Sequence, residues 1–182
     1  MAEIKVTPCE IEGLYVIEPQ VFGDERGYFM ETYNRKEFEA KGLTMEFVQD
    51  NESMSKKGVL RGLHFQKNFP QGKLVRVLSG EVFDVAVDIR KGSPTFGKWF
   101  GVVLSDENKK QFYVSKGFAH GYLVLSEQAV FSYKCTDFYH PNDEGGLIWN
   151  DPDVGIKWPI PEGMEVILAE KDKNWKGIKS LR

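Results

Sequence analysis

Along the chain, short runs in which apolar and polar positions alternate are broken every few residues by glycine, proline or small polar groups. That pattern predicts strands over 14–21, 28–33, 59–66, 73–78, 81–89, 97–104, 111–114, 121–125 and 129–136. The opening Met1-Ala2-Glu3-Ile4-Lys5-Val6 alternates in the same way. Ser79-Gly80 is spaced for a tight hairpin between 74–78 and 82–89, and Ser126-Glu127-Gln128 for a second turn, so the strands read as antiparallel. A helix is predicted over 35–41, stopped by Gly42, while the stretch after Pro159 is open to either a short closing helix or a last strand. No strand and helix unit repeats, which argues against a parallel α/β sheet. With no internal repeat, linker or low-complexity tract, residues 1–182 read as one all-β domain. The expected architecture is a β-sandwich or barrel closed as a jelly roll, with a few short helices and a site in its polar mouth.

One strand says more about the interior. From Val82 to Ile89, Phe83, Val85, Val87 and Ile89 share one face, and Val82, Asp84, Ala86 and Asp88 share the other. The first face packs; the second is either solvated or lines a polar interior, where Asp84 needs a hydrogen-bonding partner. A chain of 182 residues, 41% hydrophobic and 28% charged, can bury a core without staples and is not disordered by composition. Its 24 basic and 27 acidic side chains leave no basic footprint, so no nucleic acid partner is expected. No apolar run reaches the roughly 18 residues of a membrane span, and the start lacks the apolar block of a signal peptide. A cytoplasmic protein without a membrane partner is therefore expected. Cys9 and Cys135 are the only cysteines and form no Cys-x-x-Cys pair, so two small buried hydrophobes explain them better than a disulfide or a thiolate zinc site.

Three histidines confine any imidazole chemistry to few places. Around His64, alternation sets Gly62, His64 and Gln66 on one face and Arg61, Leu63 and Phe65 on the other. A glycine beside His64 leaves room for a ligand, and a neutral imidazole can take a proton near neutral pH. A histidine satisfied by a backbone carbonyl is the commoner occupant of such a position. His120, between Gly117 and Gly121, is expected at a turn into a strand, and His140, before Pro141, is given no role. A jelly-roll metal centre needs clustered ligands, typically two histidines one residue apart with a carboxylate and a third histidine. Leu63-His64-Phe65-Gln66 supplies one imidazole, so no metal is expected. Glycine-rich phosphate loops are absent from the sequence, which leaves phosphate binding to Arg26, Arg61, Lys73 or Arg76, each also readable as a solvated cation.

Several blocks, in order and nearly end to end, carry a specific resemblance. They are Asp24-Glu25-Arg26-Gly27-Tyr28-Phe29, Gln49-Asp50-Asn51-Glu52-Ser53, Leu60-Arg61-Gly62-Leu63-His64-Phe65-Gln66 and Gly72-Lys73-Leu74-Val75-Arg76-Val77. Residues 80–90, Gly117-Phe118-Ala119-His120-Gly121, Tyr133-Lys134 and Trp149-Asn150-Asp151-Pro152 continue them. On these blocks the chain resembles the dTDP-4-dehydrorhamnose 3,5-epimerase family, cofactor-independent nucleotide-sugar epimerases with a cupin-like jelly roll. The resemblance implies a homodimer whose exchanged N-terminal strands join the partner's sheet and carry Arg26, Phe29 and Glu31 to its site. It implies His64 as the base, Asp172 as its orienting carboxylate, Tyr133 as the acid on the opposite side and Lys73 as a cation near the reacting ketone. Arg61 would hold the pyrophosphate, Gln49, Asn51 and Tyr139 would surround the nucleotide, and Asp84 and His120 would form a polar pair near the sugar. Neither cofactor nor metal is implied. Ala169 departs from the family's pattern, in which many relatives carry serine.

The substrate so implied is dTDP-4-dehydro-6-deoxy-D-glucose, whose carbons 3 and 5 both flank the ketone at carbon 4, and the product is dTDP-4-dehydro-L-rhamnose. An epimerase acting at only one of these carbons would use the same base and nucleotide pocket. A non-catalytic nucleotide-sugar binding module is disfavoured because base, carboxylate, phenol and lysine are all present, and a metal-dependent cupin enzyme lacks its ligand cluster.

Overall fold

The computed structural model describes residues 2–182. In chain order, β1 (Lys5–Pro8), β2 (Leu14–Glu18), β3 (Val21–Asp24) and β4 (Gly27–Met30) precede the helix α1 (Arg35–Ala40). There follow β5 (Gln49–Lys56), β6 (Leu60–Gln66), β7 (Lys73–Ser79), β8 (Glu81–Asp88) and β9 (Trp99–Ser105). The series closes with β10 (Gln111–Val114), β11 (Phe118–Val124), β12 (Gln128–Cys135) and β13 (Glu144–Gly146). The sheet ordered β1-β2-β10-β7-β12-β5 faces the sheet ordered β13-β6-β11-β8-β9, and β3 and β4 form a separate two-stranded hairpin. From β5 to β12 the chain crosses between the sheets at every step except β8 to β9, in the antiparallel order of a jelly roll, as expected.

Apolar burial explains why the layers close. Val75, Val77, Phe112 and Phe131 of one sheet meet Val82, Ala86, Leu104 and Tyr122 of the other. Outside the first sheet, Phe38 of α1 packs with Ile17, Leu74 and Tyr113; outside the second, Val85, Val87 and Leu63 pack with Ile178, Ile156 and Trp158. Asn34 caps α1 by accepting from the amides of Lys36 and Glu37, and Gly42, at φ +82°, takes the left-handed conformation just beyond its end. Val82, Asp84, Ala86 and Asp88 are all buried, so the second face of β8 points inward and is not solvated.

Several expectations need correction. Ser79-Gly80 is not a hairpin: β7 and β8 lie in different sheets, as do β11 and β12 on either side of Ser126-Glu127-Gln128. Gly80, at φ +91°, turns the chain out of the sheet, and its amide donates to Asp106 at 2.7 Å while Ser126 Oγ accepts from the Glu81 amide at 2.9 Å. A sheet-crossing corner and a hairpin share the same two-residue signature. Strand 14–21 is split at Pro19, which has no amide to donate, into β2 and β3. β5 and β13 form without an apolar alternation, since apart from Met54 their residues are polar or glycine. β11 begins at Phe118, which puts His120 on a strand and not in a turn. After Pro159 come the 3-10 turns Glu170–Lys173 and Ile178–Leu181 and an isolated parallel bridge from Ile167 to Val59.

Strict alternation also fails in β6. His64 lies opposite His120 and Arg61 opposite Tyr122, so the register shifts between them. This bulge turns Arg61 toward the same side as His64, where alternation had opposed them. Two glycines permit it: a Cβ on Gly121 would stand 2.4 Å from the Arg61 carbonyl oxygen, and one on Gly62 (φ +112°) 2.5 Å from that of His120. No helix among the described residues is long and apolar enough to cross a membrane. Gly121→Ala is expected to force β6 and β11 apart and to lower unfolding stability by about 2 kcal/mol. A urea midpoint equal to that of the unsubstituted protein would contradict this close approach.

Candidate active site

The mouth of the sandwich holds a cavity of about 500 Å³ whose lining includes Arg61, His64, Lys73, His120, Tyr133, Tyr139 and Asp172. Its walls come from opposite sheets: β6 and β11 supply Arg61, His64 and His120, whereas β7 and β12 supply Lys73 and Tyr133. Imidazole and phenol therefore approach one space from two sides.

His64 is tied to the end of the chain. Its Nε2 lies 2.6 Å from Asp172 Oδ1 in the turn Glu170–Lys173, and the Asp172 side chain is 2% exposed. Trp175 Nε1 donates to the same oxygen at 2.9 Å, and the Gly62 amide donates to Oδ2 at 3.3 Å. Burial alone would raise the Asp172 carboxyl, but the bonds from His64, Trp175 and Gly62 outweigh it and hold the carboxyl below its usual range. An ionised Asp172 can only accept, so Nε2 of His64 donates to it and Nδ1 is the nitrogen left to meet a ligand.

Deeper in, His120 Nε2 lies 2.8 and 2.9 Å from the two oxygens of Asp84, which gives that buried carboxylate the partner it needs. Burial pushes the Asp84 carboxyl up against the opposing pull of His120 and Lys73. Burial likewise pushes the Lys73 ammonium down, with Cys135, Asp84 and Glu144 opposing, and its Nζ stands 5.7 Å from the centre of the Tyr133 ring. The Tyr133 hydroxyl is raised by burial, with a hydrogen bond from Asn51 acting the other way.

At the rim, Arg61 Nε donates to Ser55 Oγ at 2.8 Å, Gln49 Nε2 donates to Asn51 Oδ1 at 3.0 Å, and the Tyr139 amide donates to Gln49 Oε1 at 3.0 Å. Gln49 and Asn51 sit on β5, the outermost strand of its sheet, in register with Cys135 and Tyr133. Arg26, Phe29 and Glu31 stand apart from this cavity. Phe29 lies on the exposed hairpin of β3 and β4, Arg26 is at its tip with Asp24, and Glu31, just past it, accepts from Asn34 at 2.9 Å. Trp175, the Gly62 amide and the Lys171–Glu144 ion pair at 2.7 Å were not anticipated. Only the spacing of Trp175, three residues after Asp172, hinted that both face one way from a tight turn. Among the described residues, no three His, Cys, Asp or Glu side chains are grouped to hold a metal ion.

The family model described as dTDP-4-dehydrorhamnose 3,5-epimerase matches residues 8–180. The chain belongs to that family. A dTDP-4-dehydrorhamnose 3,5-epimerase of Methanothermobacter thermautotrophicus is 56% identical over 179 residues, which cover 98% of this chain and 97% of the relative. The solved dTDP-6-deoxy-D-glucose-3,5-epimerase of Legionella pneumophila, in complex with dTDP-4-keto-L-rhamnose, superposes with a TM-score of 0.93 at 54% identity, covering 97% and 94% of the two chains. A 3'-monoepimerase of Streptomyces bikiniensis, solved with dTDP-quinovose, superposes at 0.87 with 33% identity over 94% of this chain and 87% of that one. The epimerase fold is thus common to both, while the sequence stands nearer the 3,5-epimerases.

The depressed carboxyl of Asp172 sets a pH window. Its folded pKa lies below the ordinary 3.8, so the stability it contributes is present above that value and is lost as pH falls through the folded pKa. Asp172→Asn is expected to unfold more easily than the native chain at neutral pH and to converge with it in strong acid. Two stability curves that stay parallel across the acid range would rule out this linkage.

Proposed function

We propose that the chain is a dTDP-4-dehydrorhamnose 3,5-epimerase that inverts carbons 3 and 5 of dTDP-4-dehydro-6-deoxy-D-glucose. The observation that carries the reading is one cavity with His64, oriented by Asp172, on one sheet and Tyr133 on the other. His64 Nδ1 takes a proton from the carbon beside the ketone and becomes an imidazolium stabilised by Asp172. The electron pair moves to the ketone oxygen, where Lys73 balances the developing enolate. Tyr133 delivers its hydroxyl proton to the opposite face and is left as phenolate. Proton return from imidazolium to phenolate through solvent resets the site, and a second cycle inverts the other carbon. One ketone acidifies both C–H bonds, so the chemistry asks for no cofactor.

The rest of the nucleotide sugar is assigned by charge and shape. Arg61, with guanidinium nitrogens left beyond its Ser55 and Met54 contacts, takes the pyrophosphate, and Gln49, Asn51 and Tyr139 border the nucleoside. Asp84 and His120 face the sugar. Arg26, Phe29 and Glu31 act in the partner of a homodimer: Tyr28 and Phe29 are 60% and 65% exposed on a hairpin that joins neither sheet, and β5 offers an unpaired edge beside the site. Two unpaired cysteines suit a reducing cytoplasm.

In D₂O, proton NMR of the 4-keto sugar is expected to show deuterium entering both carbons, and His64→Asn to slow this by about 10²- to 10⁴-fold. Deuterium at a single carbon would instead make the chain a single-position epimerase, and fast exchange in His64→Asn would remove the base. Tyr133→Phe should keep exchange and lose net inversion; an unchanged epimer yield would sink the two-sided arrangement. Mixing inactive His64→Asn with an inactive Arg26→Ala/Phe29→Ala chain should restore part of the activity, because one hybrid site then holds both intact parts. A mixture as inactive as its components would refute arm exchange.

A further inference from the structure

Gln66 lies on β6 two residues beyond the base and is 6% exposed, yet the mechanism leaves it without a task. Its amide is fully engaged, and every partner is a backbone group in one of two rim loops. Nε2 donates to the Phe69 carbonyl at 2.7 Å and to the Phe138 carbonyl at 3.1 Å, while Oε1 accepts from the His140 amide at 2.7 Å. The first loop joins β6 to β7 and leads to Lys73; the second joins β12 to β13 and carries Tyr139. Two further contacts hold the same loops together. The rings of Phe69 and His140 stack at 4.1 Å, and Asp143 accepts from the amides of Asn68 and Phe69 at 2.9 and 2.8 Å.

We infer that Gln66 is a positioning residue for nucleotide recognition, linking the strand of the base to the loop that sets Tyr139 at the cavity rim. The inference rests on the nucleotide-sugar reading above. Tyr139 sits between the two residues that Gln66 grips, Phe138 and His140, and its own amide is fixed by Gln49. Losing the Gln66 amide removes one hydrogen bond from each neighbour of Tyr139 but leaves the bond between His64 and Asp172 untouched. Binding should therefore suffer and the chemical step should not.

Glutamate at this position separates alignment from bulk. Ionised, it is isosteric but has no donor and sets a carboxylate against two carbonyl oxygens; protonated, it regains one donor. Such a buried acid titrates above the usual carboxylate range. With dTDP as the calorimetric probe and the 4-keto sugar as substrate, Gln66→Leu is expected to raise the dTDP Kd and the KM by about tenfold at every pH, with kcat within about twofold. Gln66→Glu should match that loss near pH 8 and recover part of it near pH 5.5, relative to the native chain, which also serves if the leucine variant fails to fold. Combined with Tyr139→Ala, either substitution should add little further loss. Native dTDP affinity in both variants, with only a lower melting temperature, would overturn the inference and reduce Gln66 to structural support. So would a loss in kcat at unchanged KM, or full additivity with Tyr139→Ala. A native chain that binds no dTDP would overturn the nucleotide-sugar reading itself, which keeps the two failures apart.

Discussion

The site depends on a carboxylate supplied from the far end of the chain. Asp172 reaches across 108 positions to His64 and also receives the Gly62 amide, so the C-terminal segment closes the sandwich and sets the imidazole in one act. Its ionised state follows from the three donors around it, and an ionised Asp172 in turn fixes Nε2 of His64 as the donor. A histidine on β6 without that partner could present either nitrogen. With it, only Nδ1 can accept a proton from a ligand.

Jelly-roll order then supplies the opposite side. Chain crossings between the sheets put β6 and β7, adjacent in the chain, in opposite sheets, with His64 and Lys73 lining one cavity. A base on one and a cation on the other need no long loop to meet. Tyr133 arrives from β12, in register with Val75 of β7, and thus shares the wall of Lys73. Inversion at carbon requires groups on two faces of the ring, and a sandwich whose walls belong to different sheets provides them on rigid strands.

How much of this was legible in the sequence depended on which physical rule governed each residue. The apolar alternation of β7, β8 and β12 is set by burial on both sides, and these strands appear within a residue or two of their expected limits. Pairing was misread where a corner mimics a hairpin, since local turn chemistry does not say which sheet the next strand joins. The side of Arg61 was misread because a bulge resets parity, and only Gly62 and Gly121 signal that the backbones approach closely there. β5 shows no apolar alternation because it is an edge strand of mostly polar residues, of which Ser53 lines the cavity. The roles of His64, Lys73, Tyr133 and Asp172 rest on the family resemblance, since no spacing rule links residues 64 and 172. Trp175 and Gln66 fell outside that reading because each acts through another group.

Charge within the cavity follows one logic. Lys73 is half-buried where desolvation disfavours its ammonium, and Asp84, one of the groups that oppose this, is already engaged by His120. A cation held short of a full counter-charge interacts weakly with a neutral ketone and strongly with the oxyanion that replaces it. In the proposed mechanism that difference accelerates proton abstraction, whereas an ion pair between Lys73 and Asp84 would stabilise the empty site and leave less for the enolate. The His120–Asp84 contact thus leaves Lys73, in the proposed mechanism, to charge that exists only during the reaction.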